Sequence, residues 1–290
     1  MTTYSLLSCP TPLGLWPSGV QNLGRILLDH GLAQRLGAPL AGAVQPGPYL
    51  RERDATTGYL NGPAIRAQSL LLADLVAAER AAGRVPVVLG GDCSVVIGPL
   101  LALRRAGQPA LFYLDGHQDY YDATPDHSGE VADMTLGIAT GAAHGLLSDI
   151  DGLAPYVQPA RTVAFGFRDE AEVAQSHARS LHGSGIAGFG LTHLRRTGLD
   201  ACLARALATL TEASFWLHFD TDVVDDSLNP AVDYRLPGGL GWDEVAQTLR
   251  AARDSGRMAG LSVSIFNPRK DPDGRIAMAL TDCLVSGLRG

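Results

Sequence analysis

Acidic residues, a cysteine and a histidine follow three apolar runs in this chain. They lie in the segments VPVVLGGDCS (85–94), ALFYLDGHQD (110–119) and FWLHFDTDVVD (215–225). Short runs rich in Val, Leu, Phe and Tyr predict buried parallel strands, and such strands deliver their last residues into the crevice where open α/β sheets bind ligands. We therefore expect the side chains at these three strand ends to meet.

Six residues of these segments are candidate metal ligands: Cys93, Asp115, His117, Asp119, Asp220 and Asp222. Six ligands exceed what one tetrahedral zinc ion uses, and carboxylates can bridge two divalent ions about 3.5–4 Å apart. Asp-x-His-x-Asp and Asp-x-Asp place alternate side chains on one face of an extended segment. Any single Asp could instead be the N-cap of the next helix. The pattern as a whole predicts a binuclear metal centre.

Composition limits the kinds of partner. With 290 residues, 46% of them hydrophobic, the chain can bury a large core, and we expect a single domain over residues 1–290. The balance of 23 basic against 30 acidic residues, net charge -7, disfavours nucleic acid as a partner. No apolar stretch reaches the roughly 18 residues of a membrane span, and the first residues lack a signal-peptide pattern. These features predict no membrane partner and a cytoplasmic location.

Strand and helix patterns alternate along the chain, which is typical of a parallel sheet. A polar loop is expected from Pro125 to Glu130. The four cysteines form no Cys-x-x-Cys pair, and Cys202 and Cys283 fit core positions. The predicted strands are 4–8, 85–90, 110–115, 162–166, 185–189, 215–220 and 259–266.

The same segments resemble the signatures of the ureohydrolases, the family of arginase, agmatinase and formiminoglutamase. Those signatures read GGDHS, DAHxD and FDxDxxDP-like, and they occur in this order; PSGV (17–20) and GFRD (166–169) also match. The resemblance implies a three-layer α/β/α domain with a central, mostly parallel sheet of about eight strands. It also implies a pair of Mn²⁺ ions, a small-molecule substrate, and assembly into a trimer or hexamer.

Carried over position by position, the resemblance assigns the six candidate ligands. It implies that Asp115 and Asp220 are bridging carboxylates. Cys93 and Asp119 would be the further ligands of one ion, and His117 and Asp222 those of the other. Activated water would attack a guanidinium or amidinium carbon. His218 shares the strand face of Asp220 but lies one step back, so we interpret it as a packing residue rather than a ligand.

Cys93 is the first departure from the family pattern, because most members have His there. A thiolate is a softer ligand and favours Zn²⁺, Fe²⁺ or Ni²⁺ relative to Mn²⁺. The family includes Cys-bearing members, so the replacement is compatible with catalysis. The alternative is a small buried cysteine with one metal site lost.

Two more departures concern the substrate pocket. The catalytic His of the SGNxHG loop is replaced by Ala132, and the Glu that clamps the guanidinium in arginases is replaced by Ile265. Glu130 and Asp133 are the nearby candidates for proton transfer, since a carboxylate in a dry pocket can act as a general acid. Glu130 could equally be a residue favoured at a helix N-terminus.

The amino-acid end of an arginase-like pocket matches better. Ser128 and Asp169 stand at positions that contact the substrate in arginases. We therefore predict a binuclear metal hydrolase that cleaves a C–N bond of a small guanidino, amidino or related substrate and is not an ordinary arginase. The alternative is a catalytically weakened family member that acts as a binding or regulatory subunit.

Overall fold

The computed structural model describes residues 2–124, 128–176, 178–210 and 214–289. Within them lies one eight-stranded sheet, in which every pair of neighbouring strands is parallel. The strand order is β2-β1-β3-β8-β7-β4-β5-β6. The strands are Tyr4–Ser8 (β1), Leu40–Ala43 (β2), Val85–Leu89 (β3), Ala110–Leu114 (β4), Thr162–Phe165 (β5), Ala187–Phe189 (β6), Phe215–Asp220 (β7) and Met258–Ser264 (β8).

Helices cover both faces of the sheet. Successive residues of β4 show this, because Phe112 belongs to one hydrophobic cluster while Leu111 and Tyr113 belong to another. The predicted three-layer α/β/α architecture is therefore confirmed. The α-helices of the described residues are Leu23–Asp29 (α1), Leu32–Leu36 (α2), Gly62–Ala81 (α3), Ile97–Ala106 (α4), Thr135–Thr140 (α5), Glu170–Gln175 (α6), Leu191–Thr197 (α7), Leu199–Thr209 (α8), Trp242–Asp254 (α9) and Arg275–Leu288 (α10).

All seven strands predicted from apolar runs are present, with ends that differ by up to two residues. The eighth, β2, lies at an edge of the sheet and is largely exposed, and its segment LAGA lacks the β-branched and aromatic residues that are typical of strands. All four cysteines are buried and free, with Cys202 and Cys283 in the core. Residues 125–127 of the predicted loop lie outside the described residues. Among the described helices, none is long and apolar enough to cross a membrane.

The pairing of β7 with β8 includes one close contact between an indole ring and a glycine. Trp216 lies opposite Gly260, and an added Cβ at Gly260 would stand 2.1 Å from Cζ3 of the indole. Trp216 is fully buried. Because protein interiors are close-packed, the indole of Trp216 occupies the space that a side chain at Gly260 would need.

We expect Gly260→Ala to destabilise the protein by about 1–3 kcal/mol, because the new methyl group overpacks the core against Trp216. Urea unfolding measures the change. Gly47→Ala is the matched control: Gly47 is exposed and its added Cβ would meet only Ala64, at 3.4 Å. Equal stability of Gly260→Ala and the wild type would show that the indole has room to move.

Candidate metal centre

Three strand ends bring the candidate ligands together. β3, β8, β7 and β4 are consecutive in the sheet, so the residues that follow β3, β4 and β7 share one edge. Cys93 begins a short turn after β3, and Asp92 fixes that turn by accepting hydrogen bonds from the backbone N–H groups of Ser94 and Gly14 at 2.9 and 3.0 Å. Asp92 is therefore a structural cap, whereas its neighbour Cys93 faces the shared edge.

The ligand atoms form two overlapping groups, each with atoms within 4.8 Å of one another. The two groups share Asp115, as a bridging carboxylate requires. Asp119 lines the same cleft, a cavity of about 340 Å³. Five of the six predicted ligands therefore fall into these groups, and His218 joins them. The groups are Cys93, Asp115, His218 and Asp220, and Asp115, His117 and Asp222.

The first group is buried and rich in negative charge. Burial, with the nearby carboxylates of Asp119, Asp220 and Asp222, raises the pKa of Asp115 well above its usual value. Burial and Asp222 likewise raise the pKa of Asp220. Without a cation, such carboxyls bind protons because like charges cannot share a low-dielectric site.

Two observations indicate that divalent cations fit this group. The Oδ2 atom of Asp115 is buried and has no hydrogen-bond partner in the described structure. The Sγ atom of Cys93 lies 2.7 Å from Oδ2 of Asp220, close enough for both to bind one ion. A mixed oxygen, nitrogen and sulfur donor set suits transition-metal ions and zinc.

The second group is organised by His117. Its Nδ1 atom lies 2.9 Å from Oδ2 of Asp222, and its backbone N–H donates to Oδ1 of Asp115 at 2.6 Å. Burial alone would lower the pKa of His117, but Asp222 and further carboxylates raise it to about 10. Burial acts to raise the pKa of Asp222, yet His117 and Arg168 lower it overall. Without metal this pair is an ion pair.

Asp119 is held in place by hydroxyl groups. Its Oδ2 atom accepts hydrogen bonds from Tyr113 at 2.5 Å and from Thr135 at 3.2 Å. Its backbone is left-handed, with φ at 46°, a conformation that Asp tolerates better than most residues. Burial raises the pKa of Asp119 to about 7, although the Tyr113 hydrogen bond opposes the rise.

The cavity wall carries the predicted proton-transfer candidates. Glu130 and Asp133 both line it. Glu130 is buried, and its carboxylate accepts from the backbone N–H of Trp16 at 3.1 Å and from the hydroxyl of Tyr234 at 2.8 Å. Burial and the adjacent Glu130 carboxylate raise the pKa of Tyr234. Glu130 is thus a carboxylate with a fixed orientation at the cavity.

The predicted substrate contacts lie at different places. Asp169 is buried, and its two oxygens accept hydrogen bonds from the backbone N–H and the side-chain amide of Gln118, both at 2.9 Å. Ser128 is exposed, and its Oγ atom accepts from the backbone N–H of Glu130 at 3.1 Å. Gln118 therefore already uses the Asp169 carboxylate that the resemblance assigns to substrate.

The three departures from the family pattern meet in one place. Cys93, Ala132 and Ile265 belong to a single small hydrophobic cluster beside the cavity. Ile265 has φ at 73°, which is an outlier for a β-branched residue, and its N–H donates to the carbonyl of Gly91 at 2.6 Å. Such strain costs about 1–3 kcal/mol and is typical of functional sites.

Residues that support the site were not predicted from sequence. Tyr113 and Tyr234 hold carboxylates through their hydroxyls, as described above. His218 stacks on Tyr113 with ring centroids 4.7 Å apart, as a packing residue would, yet it also lies among the ligands. Burial lowers the pKa of His218 to about 3, so the ring is neutral. The alternation of β7 already placed His218 on the face of Asp220, which was the available signal.

Comparisons with known proteins agree with the fold and identify the family that it resembles. The model of the arginase family matches residues 54–288. The arginase of Brevibacillus brevis is 26% identical over 215 residues, which is 72% of this chain and 71% of that protein. The structure of arginase from Bacillus caldovelox superimposes with a TM-score of 0.90 at 24% identity, covering 100% and 99% of the two chains. Proclavaminate amidino hydrolase from Streptomyces clavuligerus gives 0.73 at 18%, covering 99% and 91%.

Above pH 6.5, the metal-free protein is expected to lose stability as pH rises. The pKa of Asp119 is raised from 3.8 to about 7 and that of His117 from 6.5 to about 10, so the folded state holds more protons than the unfolded chain. The free energy of unfolding must then fall with pH. His218, whose pKa is lowered, affects the slope only below pH 6.5.

Thermal melting of chelator-treated protein at a series of pH values measures this slope. Asp119→Asn should flatten it, since the variant lacks one of the groups that hold excess protons in the folded state. A melting temperature that stays constant or rises above pH 6.5 would contradict the assignment of excess protons to this cluster.

Proposed function

Because the chain belongs to the arginase family, we propose that this metal-dependent hydrolase cleaves a C–N bond of a small guanidino, amidino or related substrate. One observation carries the proposal. Cys93, Asp115 and Asp220 come from three separate strand ends and have ligand atoms within 4.8 Å of one another, beside a cavity of about 340 Å³. The convergence of donor atoms from distant parts of the sequence supports a shared metal ion.

Two divalent ions are the proposed cofactors, and the carboxylates of Asp115 and Asp220 would help to hold both of them. Paired cations of this kind supply Lewis-acid activation of water and substrate when bound. Carboxylate oxygens favour Mn²⁺, whereas the Cys93 sulfur shifts preference towards Zn²⁺, Fe²⁺ or Ni²⁺. The proposed ligand pairs that complete the two sites are Cys93 and Asp119, and His117 and Asp222.

The substrate is proposed to differ from that of an ordinary arginase. The wall formed by Ala132 and Ile265 is apolar, so it offers neither the imidazole nor the carboxylate of the arginase pattern. Acidic residues line the cavity elsewhere, namely Glu130, Asp133 and Glu172. A buried cation needs such partners, so these carboxylates would bind a positively charged head group.

Glu130 and Asp133 are the proposed groups that hold or move a proton. Glu130 is oriented by Trp16 and Tyr234, which fixes its oxygens towards the cavity. Ser128 and Asp169 are the proposed contacts for the far end of the substrate. In this proposal Gln118 must give up one of its two hydrogen bonds to Asp169, or contact the substrate itself.

A second candidate is a catalytically weakened subunit that binds but does not turn over. The apolar wall and the Asp169 carboxylate occupied by Gln118 favour it. Assembly into a homotrimer or hexamer and a cytoplasmic location belong to the same set of proposals, and they rest on the family resemblance and on composition.

Metal analysis with a substrate screen separates the two candidates. The enzyme is expected to bind about two equivalents of divalent metal. It should release urea, ammonia or an amine from at least one member of a panel of guanidines and amidines in a metal-dependent manner. Full stability after chelation together with no turnover across the panel would favour the subunit.

Glu130→Gln is expected to lower kcat/KM by about 10²–10⁴-fold, because an amide cannot exchange a proton as a general acid or base does. Metal content should remain that of the wild type. Glu52→Gln is the control, since Glu52 is exposed and lies outside the lining of the catalytic cavity. Unchanged kinetics in Glu130→Gln would transfer the proton-transfer role to Asp133.

A further inference from the structure

A chain of buried polar groups runs beneath Cys93 between β7 and β8. His218 pairs with Ser262 across the two strands, and Asp220 pairs with Ser264. The chain consists of Trp216, Ser262, His218, Ser264 and Cys93, all of them buried. Successive heavy-atom distances are 3.0 Å from Trp216 Nε1 to Ser262 Oγ, 2.8 Å to His218 Nδ1, 3.3 Å from His218 Nε2 to Ser264 Oγ, and 3.4 Å to Cys93 Sγ.

The direction of this chain follows from its first member. An indole N–H can only donate, so the Ser262 oxygen accepts from Trp216. Ser262 has one hydroxyl proton, and its remaining partner in the chain is Nδ1 of His218. If Ser262 donates to Nδ1, then Nδ1 carries no proton and the neutral ring bears its proton on Nε2.

The Nε2–H group of His218 then donates to the Ser264 oxygen. The Ser264 hydroxyl proton is left for the sulfur of Cys93. Every donor and acceptor along the chain is satisfied by this single arrangement. The opposite tautomer would leave the Ser262 proton without a partner in the chain, which is costly for a buried hydroxyl.

We infer that His218 is a positioning residue, which aims the Ser264 hydroxyl at the Cys93 sulfur so that the sulfur accepts a hydrogen bond when it binds metal. This inference rests on the metal centre of the proposed function. The sulfur faces Asp220 at 2.7 Å, so its other neighbours must provide hydrogen-bond donors if it is to carry negative charge. Partners of this kind orient metal ligands and tune their affinity.

The alternative explanation for the position of His218 near the ligands is that its ring binds metal directly. Its nitrogen lies within 4.8 Å of the donor atoms of Cys93, Asp115 and Asp220. Direct ligation needs an unprotonated nitrogen facing the ion, whereas the hydrogen-bond chain places a proton on Nε2. The two arrangements give different spectra and different responses to substitution.

Cobalt(II) binding reports directly on whether the Cys93 sulfur binds the metal. Titration of the chelator-treated protein with Co²⁺ should produce a sulfur-to-cobalt charge-transfer band, which Cys93→Ser identifies by removing it. Ser264→Ala should move this band to lower energy, because the sulfur charge loses its donor, and should weaken Co²⁺ binding by about 10–100-fold. Ser5→Ala, a buried serine on β1 separated from β7 by β3 and β8, is the matched control.

His218→Phe keeps a ring against Tyr113 and tests whether His218 acts through Ser264. If it does, the variant shifts the band in the same direction, and the double variant with Ser264→Ala binds Co²⁺ no more weakly than Ser264→Ala alone. In the metal-free protein, nitrogen NMR of His218 should show the Nε2–H tautomer. This measurement keeps the inference testable if His218→Phe folds poorly.

Additive losses in the double variant, or a band unaffected by Ser264→Ala, would overturn the inference in favour of direct ligation by His218. An Nδ1–H tautomer would overturn it as well. Absence of the sulfur band from the wild type would overturn it together with the assignment of Cys93 as a ligand. Absence of turnover with an intact band would refute only the proposed function, because the band does not depend on catalysis.

Discussion

The burial of several carboxylates at one edge of a parallel sheet is the constraint on which this structure depends. Asp115, Asp119 and Asp220 lie close together with almost no exposure to water. Ionised groups in such a place cost several kcal/mol each unless opposite charge compensates them. Protons can provide this compensation, as the raised pKa values indicate, and divalent cations can provide more of it. The fold therefore contains a buried acidic site whose negative charge must be compensated by protons or cations from solution.

Sequence sufficed for seven of the eight strands and for the convergence of the candidate ligands at one edge, because both depend on local pattern. An apolar run predicts a buried strand, and the residue after it must reach the carboxyl edge. It did not suffice for β2, since the segment LAGA has no β-branched or aromatic residue to mark it as a strand. The partners of Asp169 and His218 were not predicted either: Gln118 lies in the segment that follows β4, and Ser262 meets His218 through the register of β7 with β8.

Cys93, Ala132 and Ile265 replace three separate motif residues of the family, and they share one cluster with Leu15, Val20 and Val232. Residues in contact do not contribute independently. Restoring one polar side chain among these neighbours would place it against an apolar wall, where an unpaired polar group is costly. The replacements are best understood as one change to the lining of the cavity, which also contains the acidic residues Glu130, Asp133 and Glu172.

The backbone at Ile265 is held by its own amide rather than by its side chain, because the N–H donates to Gly91 at 2.6 Å while φ stays at 73°. This hydrogen bond holds a left-handed conformation that a β-branched side chain disfavours. Replacement of Ile265 can change the side chain that a bound molecule contacts and leave the loop that contains Gly91 and Cys93 in position. Divergence of specificity on this scaffold can therefore take place at the ends of the strands, ahead of any change in the strands themselves.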